Sequence, residues 1–535
     1  MRPAAVDAIT AEVISRRLLS IAEEMSVALI RSAFSANIKE RADCSTAIFD
    51  ANGRVVAQAQ RVPIHLGSMI GAVDAIRERF GDTFAPGDMF AVNDPYNGGG
   101  SHLPDINVVA PAFQDGEIIA FVANIAHHAD VGGMMPGSEA AVCRSIFQEG
   151  LRLPPVRIMR AGGSVADMME VICLNSRAPD ERLGDLNAQF AANVVGVASV
   201  EALFQAYGAA AAPAIEAYLN FTRRRFEVAI GKLRPGSFSA SDYLDGDADG
   251  ERALVTTTLT VKDRRLSFDF AGSAPQLTWA RNIPHQALLA TIYTVAKSLL
   301  DPDAPANAGY FETIDVAAEA GSIVNPTEPA PVGCRSISAG VLGDVIAAAL
   351  SQTQPEKAIA GSGPHHLAIF HGLDPKTGRE FVNYETVAGG MGARPDRDGM
   401  DAVRVHASGA ANLPIEALEH AYPLRVERYA IRKGSGGEGH RSGGAGVVRD
   451  YRALVDGVTL SLSAERQTTP APGHGGGAPG APGSFILNPD SPDERRLNAA
   501  EADLPLPVGA VLSIRTPGGG GFGLSNGPDE EKENR

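Results

Sequence analysis

The sequence predicts a mixed α/β protein. An α/β N-terminal half with long helices (residues 1–235) joins a β-rich C-terminal half with interspersed helices (236–523). Apolar residues recur at spacings of three and four between 6 and about 35, and an alanine-rich stretch from about 183 to 233 has few breakers; both patterns suit helices with one buried face. After "RPGSFSASDYLDGDADG" the texture changes, and short β-branched runs alternate with Gly, Pro and Asp turns, as in "ALVTTTLTVKDRRLSFDFAG". With 535 residues, 44% hydrophobic and 21% charged, the chain can form two or three substantial cores of ordinary globular composition.

The elements follow in order. "STAIFDANGRVVAQAQ" reads as strand, Asn52-Gly53 turn, strand, because Asn-Gly suits the positive φ angles of a tight hairpin. "GSMIGAVDAIRERF" is a short helix. "DMFAVND", "INVVAPAF" and "EIIAFVANIAHH" are strands, with Asp115-Gly116 turning between the last two. One or two long helices fill 183–233, with Gly208 and Pro213 as the candidate breaks. Further helices are expected near 284–300 and 342–351. "PAPGHGGGAPGAPGS" is read as a glycine-proline loop, and 524–535 as a disordered acidic tail.

Composition excludes several function classes. A formal charge of -16 leaves no dominant basic surface, so no nucleic acid and no anionic membrane is expected as a partner. The N-terminal "MRPAAVDAITAEVISRRLLSIAEEM" is interrupted by charges at helical spacing and lacks the apolar core of a signal peptide. No membrane span is expected, and the predicted location is cytoplasmic. Cys44, Cys143, Cys173 and Cys334 form no C-x-x-C pair, which excludes a zinc ribbon and gives no disulfide framework. Cys44 is read as a small buried thiol. "GSGGEG" matches G-x-G-x-x-G in form, but "HRSGGAGVVRDY" follows it as turn and strand instead of a helix, so it is no dinucleotide site. There is no G-x-x-x-x-G-K-[ST].

The chemistry concentrates in "NDPYNGGGSHLPDINVV" and "IAHHADVGGMMPGS", which hold three of the chain's 12 histidines. In "HLPD", Pro104 keeps the segment from forming a helix, so a turn can aim His102 and Asp105 at one point. "AHHAD" ends a strand, where alternation lets one of His127 and His128 face the same place. "ERADCS" adds Glu40 and Asp43. Imidazole and carboxylate without thiolate suit Zn, Mn or Fe. The alternative is a set of buried histidines that only satisfy hydrogen bonds. The combined motifs favour the metal.

These segments, with "IKERADCSTAIFD", "HLGSM", "GDLNAQFAAN" and "VERYAIRKGSGGEGHRSGGAGVVRDY", resemble the B-type chain of the hydantoinase/oxoprolinase family from about 15 to 523. That family includes subunits of ATP-dependent N-methylhydantoinases, 5-oxoprolinases and a caprolactamase, and larger subunits of ketone carboxylases. The resemblance implies a division of labour. A hydantoinase A-type partner holds ATP and phosphorylates the carbonyl oxygen of a small cyclic amide. This chain then supplies one divalent metal whose bound water attacks the activated carbon, within a heterotetramer or larger assembly. Carried over by motif, the metal ligands are Asp43, His102, Asp105 and His127, with Glu40 as rival to Asp43. Asp94, His128 and Asp130 become the candidates for catalysis around the ion, facing substrate or standing behind the ligands. Ser101 stands where the family commonly has Thr, and "PVGCRSISAGVLGDV" departs from the expected asparagine-rich segment. The rival readings are a ketone carboxylase component, a non-haem iron oxygenase and a catalytically silent assembly partner.

Overall fold

The computed structural model describes residues 6–246 and 251–525. The expected acidic tail lies outside them from 526 onward. The fold is mixed α/β with several antiparallel sheets.

The N-terminal part is built on one seven-stranded antiparallel sheet. Its strands are β1 Cys44–Asp50, β2 Val55–Gln58, β3 Met89–Val92, β4 Asp105–Gln114, β5 Glu117–His127, β6 Val156–Arg160 and β7 Gly163–Ser164, in the order β2-β1-β5-β4-β3-β6-β7. Every residue of β1 is buried, so both faces of the sheet are covered. Six helices accompany it: α1 Ala8–Ser32, α2 Ala36–Lys39, α3 His65–Phe80, α4 Ala166–Leu174, α5 Pro179–Tyr207 and α6 Ala211–Ile230. Side-chain alternation shows which helix lies on which face. The paired Thr46 and Asn124 reach the Ala22 carbonyl of α1 and Gln189 and Asn193 of α5. Ser45 and Asn107 point the other way, to His65 and Ser68 of α3.

Two turn predictions fare differently. Asp115 and Gly116 form the two-residue turn between β4 and β5, with φ of 51° and 86°. The Asn52-Gly53 turn is of another kind. Of the two, Gly53 alone has positive φ, and the Asp50 carboxylate accepts from the N–H groups of Asn52 and Arg54. The α5/α6 break falls at Gly208, φ 52°, and Pro213 sits inside the first turn of α6. One window of Pro179–Ile230 is apolar enough to be weighed as a membrane span. Yet Gln189 and Asn193 in it hydrogen-bond to backbone carbonyls of β4, as befits a helix lying along a sheet.

Beyond Gly236, a four-stranded sheet (Gly236–Leu244, Ala253–Lys262, Arg265–Asp269, Ile314–Ala317) shows the buried/half-buried alternation of a one-sided sheet. Its buried face shares a core with the helices His285–Leu300 and Arg335–Ser351. The second helix starts seven residues before the predicted 342, because "RSISAGV" offers small side chains and little apolar periodicity. It is buried nearly all round, so it is a central helix. A four-stranded and a five-stranded sheet share the third core.

The glycine-proline segment is a loop without helix or strand, as expected, and it packs against other glycine-rich stretches. Stretches 361–363, 389–392, 436–444, 473–480 and 518–521 run side by side, hydrogen-bonded backbone to backbone. Gly363 donates to Gly390, Gly437 to Gly519, Gly519 to Gly444 and Gly520 to Gly361, each at 2.8–2.9 Å. A Cβ on Gly390 would stand 1.9 Å from the Gly444 carbonyl oxygen, and one on Gly443 2.0 Å from that of Gly519. Only glycine permits this spacing.

Candidate metal centre

Three neighbouring strands end together. Register pairs Cys44 of β1 with Ala126 of β5, and Asp105 of β4 with His127 of β5. The His127 N–H donates to the Asp43 carbonyl at 3.0 Å, so Asp43, His127 and Asp105 stand in a row at one sheet end. Alternation puts His127 on the α3 face. His128, one residue on, turns to the α5 face, where Nε2 lies 3.0 Å from Gln189 Oε1. His102 joins from the turn before β4, which the Asp105 N–H closes on the His102 carbonyl.

One ligand atom from each of His102, Asp105 and His127 lies within 4.8 Å of the others, and all three residues are buried. His102 Nε2 is 3.1 Å from Asp105 Oδ2. His65, the first residue of α3, places Nε2 3.6 Å from Asp43 Oδ1 and 3.7 Å from Asp105 Oδ1. Glu139 Oε2 lies 3.4 Å from His127 Nε2 and accepts from the Tyr384 hydroxyl at 2.9 Å. Arg335 Nη2 holds Asp105 Oδ2 at 2.5 Å, leaving Oδ1 free.

The donor set fits a divalent ion. Two imidazoles and carboxylates form a borderline-to-hard site suited to Zn, Mn or Fe. Buried His102 Nε2, Asp105 Oδ1 and Glu139 Oε1 have no hydrogen-bond partner, and such atoms are costly unless something binds them. His102 Nδ1 lies 3.0 Å from the Gly333 carbonyl; donation to it leaves the Nε2 lone pair facing the cluster. Burial, with Arg335 close by, pulls the His102 imidazole below its ordinary value, so it is neutral as a ligand must be. Burial pushes the Asp105 carboxyl up, but His102, Arg335 and His65 together hold it well below the usual range. For His127, burial works against protonation, and Glu139 with Asp43 and Asp105 outweighs it and raises the pKa.

The other predicted residues lie outside this cluster. Glu40 is exposed at the end of α2, whereas the cluster's ligand residues are buried. Asp94 Oδ1 accepts from the N–H groups of Tyr96 and Asn97, and Oδ2 pairs with Arg152 at 2.7 Å. Asp130 accepts from Gly132, Gly137 and both the backbone and side chain of Arg177. It thereby fixes the loop that carries Glu139. The structure does not bring Glu40, Asp94, His128 or Asp130 to the ligand cluster. It brings instead His65, Glu139, Arg335 and Tyr384, none of them singled out from sequence. His65 heads the quoted "HLGSM", Glu139 directly follows "VGGMMPGS", and Arg335 lies in the divergent "PVGCRSISAG". Tyr384 leaves no local sign in the sequence. Cys44 faces the opposite side of the sheet, toward Leu29, Ala188 and Ala192.

The hydantoinase B/oxoprolinase family model matches residues 7–525. An uncharacterized protein of Methanocaldococcus jannaschii is 35% identical over 97% of this chain and 91% of its own length. A putative B-type D-/L-hydantoinase component of Pseudomonas sp. is 31% identical over 97% and 90%. A 5-oxoprolinase of Dictyostelium discoideum is 33% identical over 97% of this chain; this chain spans only 40% of that relative's length. Among solved structures, the ATP-dependent caprolactamase from Pseudomonas jessenii superposes with a TM-score of 0.89 at 27% identity, covering 97% of this chain and 92% of that one. An acetone carboxylase shares the fold at a TM-score of 0.88 and 18% identity, over 97% and 76% of the two chains.

Proposed function

Because the chain belongs to the hydantoinase B/oxoprolinase family, we propose that it is the hydrolytic component of an ATP-dependent cyclic-amide hydrolase. In this reading it opens a lactam or hydantoin ring whose carbonyl oxygen an A-type partner has phosphorylated. The observation that carries the reading is the buried cluster of His102, Asp105 and His127, with unpartnered ligand atoms beside a cavity that Asp43, His65 and His127 line. These residues and Asp43 would hold one divalent ion. Such an ion, when bound, supplies Lewis acidity that brings the pKa of water from about 15.7 toward 7.

The chain's own residues supply the rest. Burial pushes the Glu139 carboxyl up, but the His127 bond with His102 and Arg335 nearby holds it below its ordinary value. It is therefore ionised at neutral pH and can take the proton of the attacking water on Oε1. Burial holds the Tyr384 hydroxyl well above its ordinary value, so it remains a donor to Glu139 Oε2 and fixes that carboxylate's orientation. Hydroxide adds to the activated carbon, and the C–N bond breaks with its electron pair going to nitrogen, which takes a proton. The acyl phosphate so formed gives up phosphate to a second water. Asp94 and Asp130 support this chemistry from a distance by fixing loops. The likeness to a B-type hydantoinase component supports a separate A-type partner, and the two-fifths coverage of the 5-oxoprolinase fits one half of a two-part machine.

The test combines the purified chain with an A-type partner, ATP and a panel of 5-oxoproline, hydantoins and caprolactam. Ring opening is expected only with both chains and ATP. Turnover that requires bicarbonate and a ketone would move the assignment to a carboxylase, and ring opening without ATP would overturn it.

A further inference from the structure

We propose that the cavity beside the ligand cluster is a phosphoryl-binding site, in which Arg404 and Ser336 hold the phosphate of the activated substrate while the ring carbon faces His102, Asp105 and His127. The proposal rests on the cyclic-amide hydrolase reading and adds the residues that recognise the activating group.

The cavity is lined by groups of two kinds. Asp43, His65 and His127 belong to the ligand cluster and its surroundings. Arg335, Ser336, His365, Arg404 and Tyr384 line the same cavity. Arg335 is committed to Asp105. Arg404 is not committed to any carboxylate among the described residues; Nε donates to Ser408 Oγ at 2.8 Å and Nη1 to Thr386 Oγ1. Its Nη2 has no hydrogen-bond partner among the described residues, although it belongs to a residue lining the cavity. Arg41 lies behind, 1% exposed, with its guanidinium bonded only to Tyr384 and Ala411 carbonyls and Thr386 Oγ1. It packs over the Tyr384 ring, which in turn packs on His127. Two guanidinium groups without a carboxylate partner in one buried region are expensive unless an anion joins them.

Charge and geometry agree. Arg335 and Arg404 line the cavity with Asp43, Arg41 packs on its Tyr384, and Asp105 and Glu139 pair with its Arg335 and His127; a divalent ion held there would leave two positive charges over. A phosphoryl dianion cancels them. The 17-residue helix Arg335–Ser351 also begins at this cavity with no side-chain cap, and its positive end adds to the field. In a carbonyl-phosphorylated amide the phosphorus is only two bonds from the carbon under attack. A phosphate site for it must adjoin the ligand cluster, and this cavity does. Arginine suits the task because its planar fork grips phosphate oxygens in pairs.

Calorimetry tests the site with inorganic phosphate titrated into the full-length chain, once loaded with Mn²⁺ and once stripped by chelator. The expected result is one phosphate per chain in both states, tighter with the ion. Arg404→Gln should weaken binding on the order of 10–100-fold with unchanged metal content, and Ser336→Ala severalfold. Arg379→Gln, at an exposed pair with Asp180, should change nothing. Phosphate that binds Arg404→Gln and Ser336→Ala as tightly as wild type, or that fails to bind wild type at millimolar concentration, would overturn the assignment.

A second arm separates substrate-linked phosphate from released product. In the complete complex, Arg404→Gln should raise the ATP consumed per ring opened, because activated substrate is lost before hydrolysis. Weakened phosphate binding with unchanged coupling would mean a product site only, and the proposal would fall. A chain that binds phosphate through Arg404 yet opens no cyclic amide with its partner would sink the functional reading while leaving the anion site in place.

Discussion

Two regions of this molecule are built on opposite principles. At the end of β1, β5 and β4, bulky polar side chains converge and several of their atoms are left without protein partners. In the glycine bundle, most positions carry no side chain, and backbone N–H groups of one stretch meet carbonyls of the next. The first region leaves polar atoms unpaired, as the proposed ligand role requires; the second pairs its backbone groups because few side chains stand between its stretches. Stability and chemistry are therefore expected to respond separately to substitution.

The largest effect is expected in the bundle. Gly390→Ala would drive a methyl to 1.9 Å from the Gly444 carbonyl oxygen, with no flexible side chain to yield. We expect soluble yield to collapse, or the unfolding midpoint to fall by roughly 10 °C, as for a loss of several kcal/mol. A midpoint within about 2 °C of wild type would show that the stretches can part.

At the ligand cluster the fold should survive and the ion should go. His127→Ala is expected to purify largely free of metal, whereas His128→Ala, which loses only the bond to Gln189, should keep the ion with about 10–100-fold lower affinity or activity. Elemental analysis at equal folded yield decides, and metal-free His128→Ala beside metal-bound His127→Ala would reverse the assignment of faces. Glu139→Gln should retain metal and lose about 10²–10⁴ in turnover; wild-type turnover would remove Glu139 as the base.

A smaller, pH-dependent effect belongs to Glu149. It accepts from the Val332 and Gly333 N–H groups, yet burial lifts it from 4.5 to about 8. The folded chain then keeps a proton that the unfolded chain releases, so stability should decline as pH rises from about 4.5 to about 8. Glu149→Gln should flatten that slope in unfolding midpoints taken across the range. The least effect is expected at Gly457, where φ is 75° and a Cβ meets nothing within 4 Å. Alanine there should cost only about 1 kcal/mol, from backbone strain alone.

What could be read from the sequence was whatever depends on neighbours. The Asp115-Gly116 turn, the long α1 and the strand-end alternation of His127 and His128 are properties of a few consecutive residues. The 331–341 region was harder, since a central helix buried on all sides has no polar face to give it a period. The sequence shows that 470–483 is a loop but not that it joins a bundle, because the order lies in backbone bonds between stretches, which leave no side-chain pattern. The same limit applied at the site. His102 and Asp105 share one turn, but Tyr384 reaches Glu139 from 245 positions away and Arg335 reaches Asp105 from 230. For Asp94 and Asp130 the sequence shows a carboxylate in a polar loop but not its partners, because holding a loop and binding a substrate call for the same group.

The Arg335–Asp105 pair also has a temporal side. A ribosome adding about 5–20 residues each second needs roughly ten to fifty seconds to travel the 230 positions from Asp105 to Arg335. Until then Asp105 lacks its guanidinium partner, and Tyr384, later still in the chain, is not there to donate to Glu139. The buried cluster is completed only when the second half of the polypeptide closes over residues translated long before.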